Sequence, residues 1–156
     1  GEEVYTLAML LADTLVSAPW EVLGSDISSR VLARAEAGHY PIERNEGIPP
    51  AYLCKYCLKG VRSHSGSFLI SPELKRRTHF EQVNLTLPVN AGIGDFEVIF
   101  LRNVMIYFDM ETKRKVVANL LPRLKSGGHL IIGHSETLNG IQQGLELVRA
   151  TIYRKP

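Results

Sequence analysis

The sequence predicts an α/β fold with a mostly parallel sheet, and three observations carry that expectation. Short apolar runs at Trp20-Glu21-Val22-Leu23-Gly24, Phe96 to Leu101 and His129 to Gly133 read as buried strands. Segments with helical spacing and capping residues separate them, the arrangement that puts parallel strands side by side. Leu145 to Tyr153 then alternates and predicts one or two closing strands, antiparallel to the rest.

Taken in order, Tyr5 to Val16 predicts a buried helix with Leu7, Leu10, Leu11 and Leu15 as its apolar stripe. Glu2 and Glu3 suit the positive end of that helix, and Pro19 ends it. Ser28 is placed to cap a second helix that turns Val31, Leu32 and Ala35 inward and stops at Gly38. Pro49 and Pro50 open a third through Leu53 and Tyr56. From Gly60 to Thr78, Gly, Ser, His and basic residues surround Phe68-Leu69-Ile70, the pattern of a small β-rich insertion. Phe80 to Leu85 reads as another strand. Asp109 should cap a helix bearing Val116, Val117, Leu120, Leu121 and Leu124, kinked by Pro122 and ended by Gly127-Gly128.

A chain of 156 residues fits one domain with a real core, and 45% apolar with 22% charged residues excludes a disordered or fibrous protein. No apolar run approaches the roughly 20 residues of a membrane-spanning helix. The opening Gly1-Glu2-Glu3 has no basic start or cleavage site, so no signal peptide is read there. It has no initiator methionine and resembles a helix cap, so upstream residues are expected to be missing. Cys54 and Cys57 form a lone C-x-x-C. His64 and His79 lack finger spacing, so no metal is assigned and the pair reads as two half-buried thiols on one helix face. A reducing cytosol suits that usage. Between Tyr52 and Phe80, six basic side chains (Lys55, Lys59, Arg62, Lys75, Arg76 and Arg77) face only Glu73. That segment is therefore +5 in a chain of net +2, which leaves about −3 elsewhere. Steering of an acidic partner and a plain solvated face both account for it.

In an open α/β sheet, ligands bind beyond the carboxyl ends of the strands. The rule nominates Ser25-Asp26, Asn84-Leu85, and Arg102-Asn103 through Tyr107. Asp26 could grip ribose hydroxyls, because a carboxylate accepts two hydrogen bonds at once, or it could cap the following helix. Asn103 is either a ligand or a turn residue. Tyr107 is either an aromatic face for a cationic group or part of the core. Gly133-His134-Ser135-Glu136 is not a nucleophile elbow, since Thr137 stands where that motif needs Gly. A dinucleotide reductase would carry G-x-G-x-x-G after a first strand, and the sequence has none.

The string Arg102-Asn103-Val104-Met105-Ile106-Tyr107-Phe108-Asp109 resembles the RNVMIYFD signature of the CheR family, the chemotaxis receptor glutamate methyltransferases. Gly1-Glu2-Glu3 with Tyr5 and Ala8-Met9, Ser25-Asp26-Ile27 with Val31-Leu32-Ala35 and Gly38-x-Tyr40, Asn84-Leu85, Gly127-Gly128, Gly133-His134-Ser135-Glu136 and Ile152-Tyr153 match the family in order. The resemblance implies a class I S-adenosylmethionine-dependent methyltransferase sheet, Rossmann-like, with a small antiparallel β-subdomain inserted at 58–79. It implies S-adenosylmethionine as cofactor, with Glu3 at its methionine end, Asp26 at the ribose, Asn84 and Leu85 at the adenine, and Arg102 and Asn103 at the central strand end. Tyr107 would lie near the transferred methyl, with Arg102 beside it in the catalytic set. Implied partners are the acidic cytoplasmic helices of membrane chemoreceptors and their C-terminal tail, met by a monomer that takes no nucleic acid and inserts in no membrane. Family members carry an N-terminal helical domain, a first sheet strand and an A-x-S-T segment before G-E-E, all expected to be absent from residues 1–156. Val4, Leu101 and Thr86 stand where the family commonly has Pro, Cys and Leu.

Overall fold

The computed structural model describes residues 1–141 and 144–156, and these form two compact units, 1–83 and 84–156. In the first unit, α1 (Glu2–Thr14) precedes β1 (Val22–Asp26) and α2 (Ser29–Ala37). β2 (His39–Pro41), α3 (Pro50–Tyr56), β3 (Cys57–Lys59), β4 (Ser67–Ile70), α4 (Pro72–Lys75) and β5 (Thr78–Gln82) follow. β1 and β5 pair in parallel, Val22 opposite Thr78 through Asp26 opposite Gln82. β2, β4 and β3 form a separate antiparallel sheet in that order. Its strands come from residues on both sides of α3, whereas Thr78–Gln82 belongs to the parallel pair.

The buried side of α1 is not the leucine stripe. Tyr5, Ala8 and Met9 are buried, while Leu10 is 51% and Leu15 38% exposed. Tyr5 decides the orientation. Its hydroxyl donates to the Ala35 carbonyl at 2.8 Å, and its ring meets Tyr40 and Phe80 edge-on, 6.3 and 5.8 Å between centroids. α1 also lies close on β1, since a Cβ at Gly24 would sit 2.7 Å from Val4 Cγ2 and 2.9 Å from the Phe80 ring. Burial pushes the Tyr40 phenol up to about 12.

Local signals set the other ends. The Ser28 side chain accepts from the Val31 N–H, and Gly38 closes α2 in the left-handed conformation with φ 59°. Pro49 and Pro50 start α3 as expected. Cys54 lies on that helix, but Cys57 opens β3, so the two thiols do not share a helix face. Both are free, and no group of three or more His, Cys, Asp or Glu side chains suited to a metal occurs among the described residues.

The basic stretch is partly held by the chain itself. Lys55 Nζ lies 2.8 Å from Asp13 Oδ1, Lys75 Nζ donates to the Ala37 carbonyl, and Arg77 lies 4.9 Å from the Trp20 ring centre. The Lys55 hydrogen bond holds the Asp13 carboxyl below its ordinary value of 3.8. A depressed carboxylate stabilises the fold above its unfolded value and loses that contribution as pH falls through the folded one. Asp13→Asn should therefore lower the melting temperature slightly at neutral pH. The difference from wild type should shrink as pH falls below the ordinary carboxylate range and also in high salt, because both partners are largely exposed. Melting curves across pH at two salt concentrations check this.

In the second unit, β6 (Phe96–Leu101), α5 (Met110–Leu120), β7 (Leu124–Ile132), β8 (Glu146–Arg149) and β9 (Ile152–Arg154) build a sheet of order β6-β7-β9-β8. β6 and β7 are parallel, and β9 runs antiparallel to β7 as expected for 145–153, whereas β8 pairs antiparallel with β9 and so runs in the direction of β6 and β7. Val116, Val117 and Leu120 from α5 pack with Leu101, Leu124 and Leu130 in one core. Pro122 ends α5 rather than kinking it, because the backbone tightens at Leu121–Arg123 into a 3-10 turn. Gly127-Gly128 then falls inside β7 instead of after a helix. There the register jumps, Phe96 facing Leu124 and Val98 facing His129, and Gly127 takes φ 78°. Lys155 holds this bulge through backbone bonds to Gly127 and Gly128. No helix among the described residues is long and apolar enough to cross a membrane.

Candidate functional site

In the first unit, Asp26 is half-buried and is the last residue of β1, which runs two residues beyond the Gly24 end that the sequence pattern gave it. Its Oδ1 accepts from the Ser28 N–H at 2.8 Å, an Asx turn that launches α2. The cap of α2 is Ser28, and Asp26 shapes the turn that leads into it. One oxygen shapes the turn, and the carboxylate retains lone pairs for a diol. Glu3 lies exposed in the first turn of α1, at the positive end of the helix.

In the second unit, Asn84 is exposed and its Oδ1 accepts from the N–H and hydroxyl of Thr86, at 3.0 and 2.8 Å. The amide nitrogen is left as the donor group of that side chain. Leu85 packs against the core, and its carbonyl accepts from Asn119 Nδ2 on α5 at 3.0 Å, so this turn is anchored.

Beyond β6 the chain turns sharply. Arg102 is half-buried, and Asn103 takes a left-handed backbone with φ 58°, a conformation that Asn tolerates better than most side chains. A single 3-10 turn at Met105–Tyr107 follows, with Met105 fully buried. Ile106 and Tyr107 face outward, and Tyr107 is 79% exposed, so it is no core residue. Asp109 then caps α5 by accepting from the Thr112 N–H at 2.8 Å, a bond that holds its carboxyl below the ordinary range. The core under Met105 and the cap at Asp109 fix the turn from both sides and leave the phenol projecting.

Sequence reasoning gave Glu136 no part in this. Its Oε2 accepts from the Asn103 N–H at 3.2 Å and the Gly133 N–H at 2.7 Å, joining the turn after β6 to the end of β7. The only sequence trace was the string Gly133-His134-Ser135-Glu136, which spacing alone does not connect to a residue 33 positions upstream.

The parallel pair β1-β5 in the first unit, and the parallel pair β6-β7 with antiparallel β9 in the second, are the elements of a class I methyltransferase fold. The same architecture recurs in a solved structure described as LepI in complex with SAM, at TM-score 0.50 and 15% identity over 91% of this chain and 27% of that one. Residues 1–154 match the family described as CheR methyltransferase, SAM binding domain, and the chain belongs to that family. It is 39% identical to a chemotaxis protein methyltransferase of Escherichia coli (strain K12), over 98% of this chain and 54% of that protein. It is 34% identical to chemotaxis protein methyltransferase 2 of Pseudomonas aeruginosa, over 98% and 55%. The chain thus spans about half the length of these curated relatives.

Proposed function

We propose that this chain is the cofactor-binding part of a protein-glutamate O-methyltransferase that esterifies glutamate side chains of chemotaxis receptors. One observation carries the reading: the family's strand-end string is built here as a left-handed Asn103 followed by an outward Tyr107. The donor set fits S-adenosylmethionine. Asp26 offers acceptors for ribose hydroxyls, Asn84 and Leu85 offer an amide donor and an apolar surface for adenine, and Arg102 and Asn103 stand at the strand end. Glu3 supplies a carboxylate for the ammonium of the methionine end.

When bound, that cofactor supplies a methyl group on a positively charged sulfur. A glutamate carboxylate has a pKa of about 4.3 and is ionised at neutral pH, so the acceptor needs no general base. The chain's own residues then bind, align and exclude water, and Tyr107 orients the acceptor and faces the cationic centre. Arg102 would assist in holding that end. The antiparallel β2-β4-β3 sheet and the basic side chains around it are the proposed surface for acidic receptor helices and the receptor tail, bound by a monomer in the cytoplasm.

Calorimetry with S-adenosylhomocysteine tests the reading, on this chain and on a longer form carrying the remaining length of the relatives. Binding by the longer form, with methyl ester formed on a receptor fragment, is the expected result. Binding without ester formation would make the protein a cofactor-binding module instead. No binding by either form would refute the cofactor assignment.

A further inference from the structure

We propose that Glu136 is the positioning residue of the cofactor site, fixing the backbone of Asn103 by clamping the ends of two parallel strands through one carboxylate oxygen. The inference rests on the reading of the β6 end as the cofactor site and assigns the side chain that holds it in shape.

The regular pairing of β6 with β7 ends at Leu101 opposite Ile132. One residue further along β7, and two further along β6, the ladder is replaced by Glu136 Oε2. It accepts from Gly133 N–H at 2.7 Å and from Asn103 N–H at 3.2 Å. The turn closes on itself, since the Glu136 N–H donates to the Gly133 carbonyl at 3.0 Å. The approach is close: a Cβ at Gly133 would lie 2.5 Å from Oε2 and 3.3 Å from the Asn103 nitrogen, so a side chain there would displace the Glu136 carboxylate.

Two features make this more than an ordinary loop contact. Asn103 is held at φ 58°, a left-handed turn that few side chains other than Asn adopt at low cost and that sets the chain direction beyond β6. The bond from Glu136 falls on the amide of that same residue. Glu136 Oε1, moreover, is buried with no hydrogen-bond partner among the described residues. A carboxylate oxygen kept from water without a donor opposes folding, so stability alone would favour a shorter or apolar side chain here. An acceptor oxygen reaching both strand ends is what the site requires, and the negative charge of the carboxylate adds strength to the two bonds.

The test uses a form of the protein that binds S-adenosylhomocysteine. Glu136→Ala should raise the dissociation constant on the order of tenfold or more and expose the Asn103 and Gly133 amides to fast hydrogen exchange. Glu136→Gln, which keeps an acceptor oxygen at the same reach, should restore most of the affinity and protection. Glu136→Asp, one methylene shorter, should not. Val116→Ala, a core truncation in α5 away from the clamp, should lower melting temperature and leave affinity unchanged. The proposal is overturned if Glu136→Ala binds as wild type, or if Val116→Ala loses affinity to the same degree. Should the wild type bind no S-adenosylhomocysteine at all, the cofactor reading fails, and protection of the two amides then decides the clamp separately.

Discussion

Asp26→Asn should raise the dissociation constant for S-adenosylhomocysteine on the order of 100-fold while leaving the fold intact. The variant separates the two tasks of this side chain. Its Oδ1 launches α2 by accepting from the Ser28 N–H, and an asparagine oxygen does the same. What changes is the second oxygen, which becomes an NH2 donor facing hydroxyls that need an acceptor, and the loss of negative charge. Hydrogen bonds to a charged group contribute about 1.5–3 kcal/mol each, so weakening one or two accounts for the factor. Asp26→Ala would remove both tasks and mix loss of affinity with fraying of α2. Calorimetry for affinity and melting temperature for the fold keep them apart. Unchanged affinity in Asp26→Asn would remove Asp26 from the ribose role.

The same division explains what could be read from the sequence. Signals confined to a few neighbouring residues held: β6 spans Phe96–Leu101 as expected, Ser28 and Asp109 cap the helices they precede, and Gly38 ends α2. Each depends on local chemistry, an apolar run or a side-chain acceptor within reach of an orphaned N–H. Signals settled by tertiary packing did not hold. The leucines of α1 make as regular a stripe as Tyr5, Ala8 and Met9, and only the Tyr5 bond to Ala35, 30 residues away, chooses between them. Gly127-Gly128 looks like a helix end because glycine serves there and in bulges alike. The C-terminal Lys155, bonding to both, shows which role applies.

The candidate site was legible for a related reason. Asp26, Asn84, Leu85, Arg102 and Asn103 lie at or just beyond strand ends, where the rule for open sheets places ligands, so finding the strands found the residues. The same rule nominated Tyr107, but it left open whether the ring faces a ligand or joins the core. Its exposure depends on Met105 filling the core one turn face away, which a string of apolar residues does not disclose. Glu136 was invisible because its partners belong to two different strand ends.

Leu130→Ala should destabilise the second unit by about 3 kcal/mol, within the roughly 2–5 kcal/mol range of buried leucine truncations. Leu130 sits in the C-terminal half of β7, 1% exposed, with Ile99 of β6 opposite on one side and Tyr153 of β9 on the other. Strands on both sides limit how far the backbone can collapse into the space left, so the cavity contribution adds to the lost apolar transfer. Leu147 on β8 provides the contrast. It is 60% exposed on the last strand of the same sheet, and Leu147→Ala should change stability by no more than about 0.5 kcal/mol. Urea titration followed by circular dichroism measures both, because the single tryptophan, Trp20, lies in the other unit and does not report on this one directly. A lower midpoint with an unchanged slope is the expected signature for Leu130→Ala. Equal losses in the two variants would mean that the core does not centre on β7. A large loss in Leu147→Ala alone would mean that β8 is covered rather than exposed, and the sheet order deduced for this unit would then need revision at its outer strand.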